Sequence, residues 1–595
     1  MRTIWIALAL CLVVALPALA DLAPIQMDGY FDDWTALASA YTDGSGDNGS
    51  SGIDFQNIWV ANDQDNLYLR FETTADVQPD EQQDMRLYLD TDMNAGTGLS
   101  YGGIGADLVW EFGNRTGTFY TGGNSTVYHD NIGLQMGPTT SNTEFEVALT
   151  RNAVPANGQA LFSGGSVRFI LRDAAGGGDL CPDSGSISYS FVAGTLPVAT
   201  IPLGRDDPAH IRLTTWNLQS DALFDGGAAE AAQDRMLKVM DPDLIVVCEV
   251  WNHNATQVRD MIETHLPSGP GEAWYAVGID GGNVVCSRFP ILQRWEINPG
   301  FRDTGVLLDL PNQPKDLLLI AAHWRCCTAD ANRQEEADSI IGFLRDARTV
   351  GGLLDLPAGT PFLLAGDLNL VGWRQQLLTI ESGDIINEGT YGADSPPDWD
   401  GGPFTPVVSR HPDARAGYTW RNDFSSYYPG MLDWILYTDS ALALHNNYVL
   451  ETRTMTATTL STYGLQQYDT TDASDHAPRV ADFTIYDPLS PVPDVPVDRA
   501  GARLLPNAPN PFNPQTELRF ALDREGVVTL EVFDARGRRI SEFRPTAFGA
   551  GSHAVTWNGT DASGRPAASG IYRVRMTARM GERIVLGEQS ITLVK

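Results

Sequence analysis

Three textures of apolar and polar residues follow one another along the chain. From about residue 22 to 198, short alternating runs such as "NLYLRF" (66-71), "MRLYLD" (85-90) and "SVRFIL" (166-171) are separated by clusters of Gly, Ser, Thr and Asn. Such runs predict an all-β sandwich. After a proline-containing connector at 196-210 the pattern changes. Apolar stretches such as "DLIVVCEV" (243-250), "DLLLIAAHW" (316-324) and "PFLLAG" (361-366) now alternate with segments of helical spacing at 226-240 and 331-348. In the second of these, Ala337, Ile340, Ile341 and Leu344 recur on one helical face. Strand and helix patterns in alternation predict α/β architecture. The stretch "DPLSPVPDVPVD" (487-498) is a Pro-rich spacer with little capacity to pack a core, and a small β-type region follows it. The expected chain is multidomain, with an α/β centre at 205-486, a linker at 487-500, and all-β sandwich domains at 21-198 and 501-595.

Length supports this division, because 595 residues exceed a single core at ~150 residues per domain. The opening "MRTIWIALALCLVVALPALA" has one basic residue, an apolar run and a small-x-small end at Ala18 and Ala20. It reads as a cleaved secretory signal over 1-20, too short in its apolar part for the ~20 residues of a membrane span. A mature chain from Asp21, secreted or at the cell surface, is expected. The net charge of -35 opposes unaided binding of polyanions, so a phosphate-bearing partner would need cations to help. Cys11 lies in the leader. The other five cysteines lack CxxC spacing, which indicates neither a zinc site nor a full disulfide framework.

Candidate chemistry lies at the ends of the apolar runs. "IRLTTWNLQ" delivers Asn217, "DLIVVCEV" Glu249, "LLLIAAHW" His323, and "FLLAGDLN" both Asp367 and Asn369. "MLDWILY" begins with Asp433, and "ASDHAPRVADF" places Asp475 and His476 before a last strand. Each alone has a structural explanation, since Asp and Asn are common at strand ends and a lone histidine is usually structural. Together they cluster where open α/β sheets bind ligands. Two positions apart on an extended chain, Asp367 and Asn369 are expected to face one side. In the first region, Asp90, Asp92 and Asn94 are spaced like the first oxygen ligands of a calcium loop, though no downstream glutamate completes the pattern.

Three resemblances follow from these residues. "MDGYFDDW" (27-34) with "LYLDTDMNAGTG" (87-98) resembles the sugar-binding-like β-sandwich modules of secreted bacterial proteins, which implies a glycan partner. "LLPNAPNPFNP" (504-514) with "GSHAVTWNGTDASGRPAASGIYRVRM" (551-576) resembles the C-terminal sorting domains related to the Ig-like part of flagellar hook-capping proteins, which implies secretion or sorting machinery as a partner. Over 208-486, "GDLN" and a terminal "SDH", with the other stations between them, resemble the endonuclease/exonuclease/phosphatase superfamily. That likeness implies a four-layer sandwich in which two mixed β-sheets face each other between helices, with the site at one rim. It further implies a phosphoric ester hydrolase using Mg²⁺ or Mn²⁺. Glu249 would be the chief metal ligand, supported by Asn217 and Asp475, and Asp367 would activate the attacking water. Asn369 would hold a phosphate oxygen and the water in line, His476 oriented by Asp433 would donate to the phosphoryl group, and His323 would face the phosphate from the other side or help the leaving oxygen take a proton.

A hard cation with oxygen ligands suits that chemistry, because a phosphoester transition state spreads negative charge over its oxygens. Histidine at position 323, where abasic-site repair enzymes resemble one another in having tyrosine, points away from DNA repair. The expected activity is a secreted phosphodiesterase or nuclease, with a phosphomonoesterase or phospholipid head-group hydrolase as the alternative. A catalytically inactive, glycan-binding surface adhesin is a further alternative. Arg288, Arg325, Arg374 and Arg421 are candidates to grip phosphate, Trp324, Trp373 and Trp420 to stack on a base or sugar, and the Gly- and Pro-rich insert at 391-420 to shape the pocket.

Overall fold

The computed structural model describes residues 21-595 except 50-51, 80-83, 280-281, 312, 353, 486-501, 509, 511, 523, 535-538, 561-564, 566, 581-582 and 594-595. The expected signal and all of the expected linker lie outside the described residues. No helix among the described residues is long and apolar enough to cross a membrane.

The alternating texture near the N-terminus becomes two antiparallel-rich sheets, six- and seven-stranded. Strand Asn66–Val77 shows why alternation reads as a two-faced strand: Leu67, Leu69 and Phe71 enter the core between the sheets, while Tyr68 packs outside with Trp34. The same rule sends Leu87 and Leu89 inward and Tyr88 outward.

The central region contains two six-stranded mixed sheets with one plan. Each has a single parallel pair, Ile211–Asn217 with Leu244–Cys248 in one and Leu317–His323 with Phe362–Asp367 in the other. Each pair is joined by a helical crossover, Gly227–Met240 or Asp330–Ala347. One core, including Leu213, Val246, Leu319, Leu363 and Ile435, contains residues of both sheets. A second gathers Ile245 and Val247 with Met236, Val258 and Ile262 of the helices, and a third gathers Ile320 and Leu364 with Ile340, Ile341 and Leu344. Strands covered on both faces explain why these runs are almost continuously apolar. Cys248 and Cys286 are buried core thiols, and all five described cysteines are free.

Near the C-terminus, three- and four-stranded sheets share a core around Phe520, Val532, Trp557 and Met576. Between the first and central regions the contact is close. Tyr428 donates its hydroxyl to the Phe112 carbonyl at 2.9 Å and accepts from Trp110 Nε1 at 3.1 Å, and Arg415 pairs with Asp63 at 3.0 Å. The insert at 391-420, expected to shape the pocket, reaches the N-terminal sandwich, where Ala416 bridges to Met27.

Candidate active site

The parallel strands end, and two antiparallel strands begin, at one rim. Asn217 closes its strand and Glu249 follows Cys248, while His323, Asp367 and Asp433 lie side by side in register on three adjacent strands. His476 enters from the turn before Arg479–Ile485 and bridges to Trp420. Residues far apart in the chain therefore converge because the sheets bring matching strand ends together.

Gly366 makes that register attainable. A Cβ there would lie 1.7 Å from the Ala322 carbonyl oxygen, and its φ of 150° suits glycine. Beyond Asp367 the chain stops being extended: Asn369 has φ 46°, as Glu249 has φ 65°. The expectation that Asp367 and Asn369 share a side by simple alternation is therefore replaced by a turn. In it the Asn369 N–H donates to Asp367 Oδ1 at 2.9 Å and its side-chain amide donates to the Trp324 carbonyl at 3.0 Å. Two non-glycine residues in left-handed backbone, each at a cost of order 1 kcal/mol, mark a rim held by its surroundings.

Asn217 ties the carboxylates together. Its amide nitrogen donates to Glu249 Oε1 at 3.1 Å and to Asp367 Oδ2 at 2.9 Å, while its oxygen accepts the Gln219 N–H at 3.0 Å. This geometry makes Asn217 a bridge between carboxylates rather than an oxygen ligand pointing into the site. Glu249 Oε2 accepts the Ser220 N–H at 2.8 Å, leaving a half-buried carboxylate open on the remaining side. Asp475 accepts from Trp420 Nε1 at 3.1 Å.

His476 Nδ1 lies 2.7 Å from Asp433 Oδ2. Burial alone would favour the neutral ring, but Asp433 beside it, with Asp367 and Asp475 nearby, raises the imidazole to about 10, so it is an imidazolium. Burial raises the Asp367 carboxyl to about 7, against the opposing pull of His476. His323 differs: burial and the Arg302 guanidinium hold it well below the usual imidazole range, and Arg302 Nη1 donates to its ring at 2.9 Å. The Nε2 atoms of His323 and His476 each stand 3.9 Å from Asp367 Oδ2. That is too long for a hydrogen bond and too short for an oxygen to lie in line between them, so an oxygen bonded to both would sit to one side of the pair.

Among the other candidates, Trp420 reaches the site through Asp475, whereas Trp324 is buried core bonded to Asp303 and Trp373 is half exposed. Arg288 lies over Trp274, Arg421 pairs with Asp423 at 2.5 Å, Arg325 is exposed over Phe301, and the Arg374 N–H donates to Ser141. Sequence reasoning missed Arg302, which sits beside His323 and over Trp251, and missed Ser220 and Thr419. Thr419 Oγ1 accepts the Asp433 N–H at 2.9 Å, and no local motif signals such a partner.

No curated protein matches the chain. Among solved structures, an endonuclease/exonuclease/phosphatase from Beutenbergia cavernae DSM 12333 is 16% identical, covering 64% of this chain and 100% of its own, at a TM-score of 0.31. The human Nocturnin catalytic domain with bound sulfate is 15% identical over 49% of this chain and 97% of its own, at 0.29. D. rerio TDP2 with a single-strand DNA product is 15% identical over 46% and 99%, at 0.30. Residues 512–582 match the FlgD Ig-like domain model. Residues 214–476, which span every position of the rim from Asn217 to His476, match the Endonuclease/Exonuclease/phosphatase family model.

Proposed function

We propose that the protein is a secreted, divalent-metal-dependent phosphodiesterase or nuclease, with its central region a four-layer sandwich and its site at the rim. The observation that carries this reading is the placement of two imidazole Nε2 atoms, one cationic and one neutral, 3.9 Å from the same Asp367 oxygen. Asn217 links that carboxylate to Glu249. A phosphoryl group seated over these three side chains would meet two ring N–H donors and a base for the attacking water.

The donor set suits Mg²⁺ or Mn²⁺: Glu249 offers carboxylate oxygen on its open side and Asp475 a second carboxylate, all hard ligands without sulfur. Bound there, the ion would neutralise phosphoryl charge and fix the ester. Asp367 takes the proton of the attacking water, held in place by the Asn217 amide and the Asn369 N–H. His476, kept cationic by Asp433, donates to a phosphoryl oxygen. His323, neutral and backed by Arg302, orients the ester and is a poor proton donor, which favours its facing the phosphate over its helping the leaving oxygen take a proton. Asn369 positions Asp367 rather than clamping phosphate.

The FlgD-like domain fits an extracellular or surface role, and the N-terminal sandwich is assigned as a glycan-binding accessory. Assaying the full chain against a generic phosphodiester, a phosphomonoester and plasmid DNA, each with Mg²⁺ or EDTA, tests the reading. Metal-dependent cleavage of a diester is expected, a preference for the monoester would select the phosphatase alternative, and turnover of none would support the inactive adhesin.

A further inference from the structure

We infer that the N-terminal sandwich holds a calcium-sized divalent cation between Asp90, Asp92 and Asp107, a site separate from the catalytic rim. Asp90 ends the strand Met85–Asp90, and Asp107 follows Ile104–Ala106. The two are pinned to each other, since the Asp107 N–H donates to the Leu89 carbonyl at 2.9 Å and the Thr91 N–H donates to Asp107 Oδ2 at 2.8 Å. One oxygen from each of the three carboxylates lies within 4.8 Å of the others.

Close acidic groups occur at many protein surfaces without an ion, and here a second observation separates this group from them. Asp90 is wholly buried. Its Oδ2 accepts from Arg168 Nε at 2.7 Å and from the Gly105 N–H at 3.3 Å. Its Oδ1 is sealed from solvent and has no hydrogen-bond partner. A buried carboxylate oxygen left unpaired is costly, and nothing on the protein side relieves it. Three carboxylates face a single guanidinium, so negative charge is left over in the cluster. A cation accepting Asp90 Oδ1 removes both penalties at once.

Ligand chemistry selects the ion. All the donors are oxygen, which favours a hard cation over a soft metal, and Ca²⁺, with ligands at ~2.3–2.6 Å in flexible geometry, suits carboxylates fixed by strand ends better than Mg²⁺, which demands near-ideal octahedral geometry. Asp107 thus supplies the carboxylate that the linear loop pattern lacked. Asn94, whose Oδ1 accepts the Gly96 N–H at 3.0 Å, is a turn-former instead.

The test uses the full chain with Ca²⁺ as the only probe, counting bound equivalents by equilibrium dialysis and following the melting temperature. Two other acidic groups, around Asp47, and the catalytic Glu249 can also take up Ca²⁺, so the comparison is between variants. Asp92→Asn, at an exposed position, should lose one equivalent and lose the calcium-induced rise in melting temperature. The same loss should appear when Asp92→Asn is made in a Glu249→Gln background, which removes uptake at the rim. Asp107→Asn should behave as Asp92→Asn does, and if it fails to fold, Asp92→Asn decides alone. An Asp92→Asn protein with a wild-type circular dichroism spectrum and undiminished Ca²⁺ binding would overturn the site.

Discussion

Gly366 carries the sharpest residue-level constraint, because any side chain there meets the Ala322 carbonyl of the paired strand. Gly366→Ala should cost on the order of 3 kcal/mol or more, read by chemical denaturation. Asp433 acts differently, through the ring it holds. Asp433→Asn should leave folding intact and lower kcat by about 10²–10⁴-fold, since the imidazole loses the partner that keeps it charged and oriented. Asp367, Asp433 and His476 were legible in the sequence because a polar residue ending an apolar run is conspicuous. Arg302 was not. Its partner is an imidazole 21 positions away, and no spacing rule announces a guanidinium that donates to a ring. Asn369 was legible as a site residue but not in its role, because alternation assumes an extended strand and the backbone turns left-handed there.

At the scale of elements, the strands and crossover helices were readable because strands buried on both faces must be apolar throughout. The support of the loop after Asn369 was not. Thr139, Gln78 and Ser141 of the N-terminal sandwich donate to the carbonyls of Leu370, Val371 and Gly372 at 2.5, 2.6 and 2.8 Å, directly after Asn369. Hydrogen bonds to backbone oxygen leave no trace in the sequence of the accepting loop. Replacing both Gln78 and Thr139 by alanine should lower kcat by roughly 10-fold with little change in KM, because misplacement of a catalytic loop acts on orientation. The helix Asp330–Ala347 carries a pH-dependent element of its own. Burial, then Asp303, raises the Glu336 carboxyl from 4.5 to about 9. A raised folded-state value means that the stabilisation is full below pH ~4.5 and is lost as pH rises toward ~9, where the fold must either ionise a buried acid or give it up. Glu336→Gln should flatten that decline in melting temperature between pH 5 and 9.

For the whole molecule, charge governs access. A net charge of -35 surrounds the proposed phosphoesterase site, so a polyanion would approach against repulsion that salt screens. Turnover of plasmid DNA should therefore rise as ionic strength increases from about 10 to 150 mM at fixed Mg²⁺, while a small diester should respond little. Composition made this legible, and the three textures made the three sets of sheets legible. The packing of the first region against the central one rests on scattered contacts such as Tyr428 with Trp110 and Phe112, which have no periodicity to read.

The central claim is that one rim of the paired sheets hydrolyses phosphodiesters with a metal ion and with Asp367 as the base. It is tested most directly by the initial rate on a generic phosphodiester, measured for wild type and Asp367→Asn, each with Mg²⁺ and with EDTA. The account predicts turnover only for wild type with Mg²⁺, with Asp367→Asn folded and at least about 10²-fold slower. Wild-type turnover that persists in EDTA, together with a fully active Asp367→Asn protein, would contradict it.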